Sequence, residues 1–433
     1  MAKSLRNGVI PEAAADMSEY RLQYGIPSSS IVSWQEVEMH FPLCNGVEWV
    51  GFVDWTIRDF HSYNTEQGTT YNAYLVLDQQ NALIDTVKAP YAQDLLRNIA
   101  EVTALDAVDW VVCNHAEPDH AGALPEIMAA LPNATLVCNE KCRQVLARYF
   151  DTSRWKVRIV AAGETLSLGE RTLEFVPTPL AHWPESMFTY LPQEKILFSM
   201  DAFGQHFASP QRFDDESCLA AALIEAKTYY ANILTPYGVP AAKALAAAAK
   251  LDIGMIAPSH GVIWRKHLPR ILEAYQDWSS GIPRRKVVVL YDSMWDSTAH
   301  MAQAVHEGAL CAGAEVQLMH LRQSTLTRIA TEVFDAAAVA FGSATLNAWM
   351  MPMAGAALAY LQGLKPSKKA AVAFGSYGWS RGGPEAVHEA LEGLKWELVG
   401  PPIKSQYRPT QENLEQCRAA GAQLAALALA AGR

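Results

Sequence analysis

His115-Ala116-Glu117-Pro118-Asp119-His120 follows the apolar stretch Trp110-Val111-Val112-Cys113 and is closed by Gly122. The stretch reads as a buried strand and the six residues as the loop that leaves it. Four potential ligands in six positions can converge on a dinuclear metal site. His and Glu at alternate positions of an extended loop project to one side, and the adjacent Asp-His pair turns to the other. Three more candidates stand at the ends of later elements: His182 in Ala181-His182-Trp183-Pro184, Asp201 after Phe198-Ser199-Met200, and His260 in Ala257-Pro258-Ser259-His260-Gly261. Glu117 adds a harder, more anionic donor than an imidazole, which suits higher oxidation states of iron. The full set suits two metals sharing one bridging carboxylate. His40, His267, His300, His306, His320 and His388 read as solvated or capping residues.

Around this loop the chain divides into an extension, residues 1–44, and two domains, 45–280 and 281–433. Ala73–Leu77 and Ala82–Asp85 read as antiparallel strands, followed by a helix at 92–102. A second helix, 124–130, leads to the strand Thr135–Cys138, and further strands read at 172–175 and 196–198. Antiparallel strands with interleaved helices predict an α/β sandwich. Residues 219–249 read as mostly helical, interrupted near Pro236-Tyr237-Gly238. A linker reads at Ser279-Ser280-Gly281-Ile282-Pro283. Beyond it, strands at 286–291, 315–319, 337–341, 369–374 and about 396–399 alternate with helices. That pattern predicts a doubly wound parallel sheet of about five strands.

Three loops of this second domain follow strand ends. The first is Ser293, Met294, Trp295, Asp296, Ser297 and Thr298, where a helix begins; hydroxyls and N–H groups at a helix N-terminus form an anion site. The second is Ser343, Ala344, Thr345, Leu346 and Asn347 after Gly342. The third is Ser376, Tyr377, Gly378 and Trp379 after Gly375. There is no G-x-G-x-x-G, so the single terminal phosphate of FMN fits better than a dinucleotide. Trp295, Tyr377 and Trp379 are placed to flank a flat ring.

Composition narrows the classes. Half of the 433 residues are hydrophobic and 18% are charged, an ordinary globular mix. With 35 Lys+Arg against 45 Asp+Glu the net charge is −10, which argues against nucleic-acid or anionic-membrane binding. The seven cysteines include no C-x-x-C pair, so they read as thiols of a reducing compartment and exclude a rubredoxin-like iron site on this chain. No signal segment reads at the N-terminus and no apolar run reaches the ~18 residues of a spanning helix, so the chain reads as cytoplasmic.

The order H-x-E-x-D-H, then a His, then an Asp after a strand, then a His resembles the metallo-β-lactamase fold. Joined to a flavodoxin-like domain, it resembles the flavodiiron proteins, or A-type flavoproteins, over about residues 45–430. Trp49-Val50-Gly51, Asp54-Trp55, Arg58-Asp59-Phe60-His61, Gly68–Leu75, Asp201–His206 and Tyr229–Leu234 carry the same resemblance. It implies a metallo-β-lactamase-like αββα domain and a flavodoxin-like FMN domain. One iron would take His115, Glu117 and His182, the other Asp119, His120 and His260, with Asp201 bridging them. His61, Tyr229 and His206 would stand around the ligands, each equally open to a structural role. Two positions depart from the pattern: Glu185 stands where members usually have Asp, and Asp296 where flavodoxins commonly have Gly. The implied activity is reduction of O2 to water, of NO to N2O, or both, with electrons passing through FMN from rubredoxin or a similar small protein. The implied assembly is a head-to-tail homodimer or a dimer of dimers. Two other classes stay open. A dinuclear zinc hydrolase of the same fold is disfavoured by Glu117, and an FMN-only electron carrier by the complete ligand set.

Overall fold

In a computed structural model, residues 40–61 and 63–432 are described. The extension read at 1–44 lies outside the described residues up to position 39. Its last four residues differ from that reading: Phe41–Cys44 is a strand paired antiparallel with Val47–Trp49. Leu43 is buried and the Phe41 ring meets Trp49 edge-on at 5.7 Å, contacts that a four-residue run containing Pro42 does not advertise.

Two sheets pack face to face. The first has the spatial order Phe41–Cys44, Val47–Trp49, Tyr74–Val76, Asn81–Ile84, Val108–Val112, Thr135–Cys138, Val157–Ile159. It turns from antiparallel to parallel at Asn81–Ile84. The second runs Thr165–Ser167, Thr172–Pro177, Met187–Leu191, Ile196–Met200, Met255–Pro258. Trp49, Tyr74 and Val112 of one meet Phe175, Ile196 and Phe198 of the other in a shared core. Helices Ala92–Val102, Leu124–Ala130 and Glu140–Tyr149 close the first sheet through Leu95, Ile99, Leu124 and Leu146. Helices Leu219–Tyr229 and Leu268–Ser280 close the second through Ala222, Ala226, Ile271 and Tyr275. This is the four-layered αββα sandwich of the metallo-β-lactamase fold. Helix Leu219–Tyr229 gives way to a π-helical turn, Tyr230–Leu234, and then to a 3-10 turn at Pro236, before helix Gly238–Ala248. Such π-turns often mark functional sites.

The following sheet is wholly parallel, ordered Glu315–His320, Arg284–Asp292, Ala336–Ser343, Ala370–Tyr377. The fifth position differs from the single strand expected at 396–399. Two short strands share it, Glu397–Leu398 on one half of Ala370–Tyr377 and Ile403–Gln406 on the other. Gly400-Pro401-Pro402 lies between them, and proline has no N–H to continue a ladder. The resulting order 2-1-3-4-5 is the flavodoxin-like one. Helices Ser297–Cys311 and Gln411–Ala431 cover one face, so closely that a Cβ at Gly421 would stand 2.0 Å from the Val305 carbonyl.

The two folds meet at helix Leu326–Phe334, which packs on the π-turn. Asn64 N–H donates to Thr327 Oγ1 at 2.8 Å. Asn232 donates to Thr327 O at 3.2 Å and Thr331 Oγ1 at 3.0 Å, and accepts from Tyr360 O–H at 2.9 Å. Asn232→Ala removes those three hydrogen bonds at about 1 kcal/mol each. Denaturant unfolding should show a loss of ~2–3 kcal/mol; an unchanged midpoint would mean that the contact carries no stability.

Candidate metal centre

The seven predicted ligands come together at one end of the sandwich. His115, Glu117, Asp119 and His120 follow Val108–Val112, and His182 lies in the loop between Thr172–Pro177 and Met187–Leu191. Asp201 directly follows Ile196–Met200, and His260 follows Met255–Pro258. Pro118 opens the short helix Pro118–Ala121, which turns Asp119 and His120 away from Glu117. Gly261 holds φ +79°, and a Cβ there would stand 2.2 Å from Gln205 Oε1, so only glycine lets the chain turn behind His260.

Two groups of ligand atoms form. In the first, Nε2 of His115 lies 3.1 Å from Glu117 Oε2 and 3.2 Å from Asp201 Oδ2. His182 Nε2 lies 3.1 and 3.3 Å from the same two oxygens. In the second, His120 Nε2 lies 3.3 Å from Asp119 Oδ2 and 3.0 Å from Asp201 Oδ1. His260 Nε2 lies 3.1 and 3.5 Å from those atoms. Two donors bound to one ion at ~2.1 Å stand ~3.0–3.4 Å apart, so these separations match edges of a coordination polyhedron. Asp201 turns one oxygen to each group. Asp119 Oδ1, Asp201 Oδ2 and Nε2 of His120 and His260 are buried without hydrogen-bond partners. Buried polar atoms are rarely left so, and an ion in each group would satisfy Asp201 Oδ2 and the two Nε2 atoms. The donor set fits two metals.

Contacts behind the ligands fix their orientation. Glu185 Oε1 accepts from His115 Nδ1 at 2.9 Å and from the Ala116 N–H at 3.1 Å, so the longer carboxylate makes the orienting bond. The Thr70 carbonyl accepts from His260 Nδ1 at 2.6 Å. Sequence reading did not single out that carbonyl, because a main-chain acceptor has no side-chain signature. Asp85 accepts from Asn114 N–H at 2.7 Å and steadies the start of the loop. Met200 and Phe203 hold φ of 47° and 66°, strained values on either side of Asp201.

The field of the centre is set by four imidazoles against three carboxylates. Burial would lower the imidazoles, but Asp201 and Glu117 hold His115 well above its ordinary range and His182 up to about 9. Asp119 and Asp201 hold His260 up to about 10. Burial opposes ionisation of Glu117 and Asp201, yet the imidazoles pull both well below the carboxylate range.

The surrounding candidates are placed as follows. His61 is half-exposed, and its Nε2 lies 3.0 Å from Glu117 Oε1. Tyr229 is buried, and burial and the neighbouring Asp201 keep its phenol protonated. His206 is buried with Nδ1 2.8 Å from Thr69 Oγ1, and its ring lies 5.0 Å from those of His260 and Tyr229. Burial and His260 hold it neutral.

The three loops of the second domain adjoin by strand register: Asp292 pairs with Ser343, and Gly342 with Phe374. Ser293 and Thr298 are buried at the start of helix Ser297–Cys311, with Thr298 Oγ1 2.8 Å from Ser376 Oγ. Trp295 is 85% and Trp379 91% exposed, large flat surfaces left at the rim. Met294, Asp296 and Asn347 are also exposed; Thr345, Leu346, Tyr377 and Gly378 are half-buried. Asp296 has φ 61°, the left-handed conformation that favours glycine, and its exposure leaves its charge in solvent. Ala344 is buried, and Ser343 Oγ is engaged with the Ala344 carbonyl and Met351 N–H, so these two offer main chain only. Trp349, 57% exposed, joins the rim and was not anticipated. A helix N-terminus, two small hydroxyl-bearing loops and exposed aromatic walls fit a flavin phosphate and ring.

Residues 69–261 match the ODP family beta lactamase model, and residues 289–421 match the flavodoxin model. The chain is 41% identical over 389 residues to a nitric oxide reductase of Moorella thermoacetica, covering 89% of this chain and 98% of that one. It is 36% identical to an anaerobic nitric oxide reductase flavorubredoxin of Aeromonas hydrophila, covering 88% of this chain and 78% of that one. The fold is similar to that of the flavodiiron protein from Giardia intestinalis, with 40% identity and a TM-score of 0.88 over 90% of this chain and 97% of the other. It is also similar to rubredoxin oxygen:oxidoreductase from Desulfovibrio gigas, with 37% identity and a TM-score of 0.87 over 90% and 99%.

Two outcomes follow from the charge balance. His182 at about 9 and His260 at about 10 are protonated at neutral pH, so an arriving ion must expel protons. Affinity should therefore rise with pH until those values are passed and fall as pH drops. Anaerobic calorimetry of Fe(II) binding in buffers of different ionisation enthalpy should record about one proton or more released per ion; binding without release would contradict this. Glu185→Ala should weaken metal binding ~10–100-fold by freeing His115; retention of wild-type affinity would remove Glu185 from the orienting role.

Proposed function

The chain belongs to the flavodiiron protein family, and on that premise we propose that it reduces O2 to water, NO to N2O, or both, at two irons fed through FMN. One observation carries the reading: the ligand atoms of seven residues gather into two groups that share Asp201. His115, Glu117 and His182 would hold one iron, Asp119, His120 and His260 the other, with Asp201 shared between them. When bound, the irons and FMN supply redox equivalents and open positions for a diatomic gas. The protein's own groups do the rest. Glu185 and the Thr70 carbonyl orient imidazoles, Tyr229 keeps a proton beside Asp201, and His61 hydrogen-bonds Glu117 at the exposed side. Ser293, Ser297, Thr298 and Ser376 would hold the flavin phosphate at the helix N-terminus. Trp295, Tyr377 and Trp379 flank the ring, with Met294, Asp296, the 343–347 loop and Gly378 completing its rim.

The donor is rubredoxin or a similar small redox protein. The diiron domain would span residues 45–280 and the FMN domain 281–433. A head-to-tail homodimer, alone or doubled, sets the FMN of one subunit beside the irons of the other. The exposed tryptophans at the flavin rim support a covered surface there. No helix among the described residues is long and apolar enough to cross a membrane, in keeping with a cytoplasmic enzyme. A zinc hydrolase is disfavoured by Glu117 and by the nitric oxide reductase and flavodiiron relatives.

Anaerobic purification should yield two irons and one FMN per chain and a protein that oxidises reduced rubredoxin with O2 or NO. His115→Ala and Asp201→Asn should each cut that turnover at least ~100-fold, while FMN remains reducible by the donor. Two zincs with hydrolytic activity, or unchanged turnover in both variants, would overturn the reading.

A further inference from the structure

If the chain has the activity proposed above, each O2 reduced takes up four protons and each pair of NO two, yet His115, His120, Asp201 and His260 are at most 2% exposed. A polar cavity of about 300 Å3 opens where the two folds meet, lined by Asn64, Glu66, Glu225 and Thr228 from one and Thr327 and Arg328 from the other. Beside Asn64 stands Tyr63, buried, with a hydroxyl that has no partner. Burial first, then the nearby Glu225 and Tyr360, keep this hydroxyl protonated. The Tyr63 ring meets His206 at 5.2 Å, and His206 Nε2 is likewise buried without a partner. The His206 ring in turn lies 5.0 Å from His260. Two buried rings, each with an unpartnered polar atom, thus adjoin between Asn64 of the cavity and His260 of the metal pocket, and ordered water commonly satisfies such atoms.

We propose that this cavity is the proton inlet of the metal centre, with Glu225 collecting protons from solvent and Tyr63 passing them inward past His206. One proton enters for each electron consumed. Glu225 gives up its carboxyl proton and regains one from solvent; the Tyr63 oxygen accepts a proton as its own O–H proton moves on, so neither residue ends with a changed charge. The groups around Glu225 suit the task. Burial first, then the facing Glu66, push its carboxyl up to about 7, half-protonated at neutral pH. Arg328 and Glu332 face the cavity from helix Leu326–Phe334, Tyr360 approaches from helix Pro352–Leu364, and Lys227 on Glu225's own helix is paired with Asp335 at 2.6 Å.

The test uses the full chain loaded with iron and FMN, with Glu225→Gln, Glu225→Asp and Glu66→Gln. Infrared titration of the resting protein should show a carboxyl band titrating near 7, absent in Glu225→Gln and shifted to lower pH in Glu66→Gln. Gas consumption should fall ~10–100-fold in Glu225→Gln and recover in Glu225→Asp, with FMN reduction by the donor unchanged. The wild-type rate should decline as pH rises through the titration of Glu225, and in Glu66→Gln that decline should move to lower pH. The inlet is overturned by a Glu225→Gln enzyme that turns over at the wild-type rate between about pH 6 and 9. If that variant does not load iron, an unshifted pH profile in Glu66→Gln overturns it instead. A wild-type chain that consumes neither gas counts against the functional reading, whereas an active wild type with an equally active Glu225→Gln counts against the inlet alone.

Discussion

The Asp201 carboxylate, with one oxygen turned to each pair of imidazoles, is the constraint on which the rest of the structure depends. Its two oxygens lie 3.0 to 3.5 Å from four Nε2 atoms contributed by three separate loops. Those loops meet only if the strands that feed them end at the same edge of the sandwich. Strand Ile196–Met200 lies between Met187–Leu191 and Met255–Pro258, so Asp201 emerges between the His182 loop and His260. The inter-sheet core of Trp49, Tyr74, Phe175 and Phe198 brings Val108–Val112, with His115 and His120, against them. Burying three carboxylates and four imidazoles is tolerable because each charge finds an opposite one, and ions binding there replace the protons that balance the centre.

The second domain is built on different physics. Its parallel strands end in loops that offer main-chain N–H groups, hydroxyls and flat aromatic surfaces rather than charge. The short 343–347 loop spends its one serine hydroxyl on its own backbone. Helix Leu326–Phe334 couples this domain to the π-turn that follows Tyr229, so the packing that joins the two folds also shapes the wall of the metal pocket.

Much of this was legible in the sequence. The ligands are chemically distinctive and each follows an apolar run, so H-x-E-x-D-H and the later His, Asp and His could be assigned to strand ends before any coordinates. The regular alternation after residue 281 gave the doubly wound sheet. What escaped depends on main chain or on contacts distant in sequence. The Thr70 carbonyl behind His260 has no side-chain signal. Phe41–Cys44 is too short to show a period, and the fifth strand is cut by two prolines at 401 and 402. Glu225 reads as one charge on a helix; that it is half-buried near Glu66 and Tyr63, residues distant in sequence, shows only in the fold. The conformation that lets Asp296 replace glycine is likewise visible only as a backbone angle.

The most direct measurement is anomalous diffraction at the iron edge from crystals of anaerobically loaded protein. Two iron peaks are expected, one among His115, Glu117 and His182 and one among Asp119, His120 and His260, each bonded to a different oxygen of Asp201. A single peak, or a pair from which Asp201 stands apart, would contradict the account.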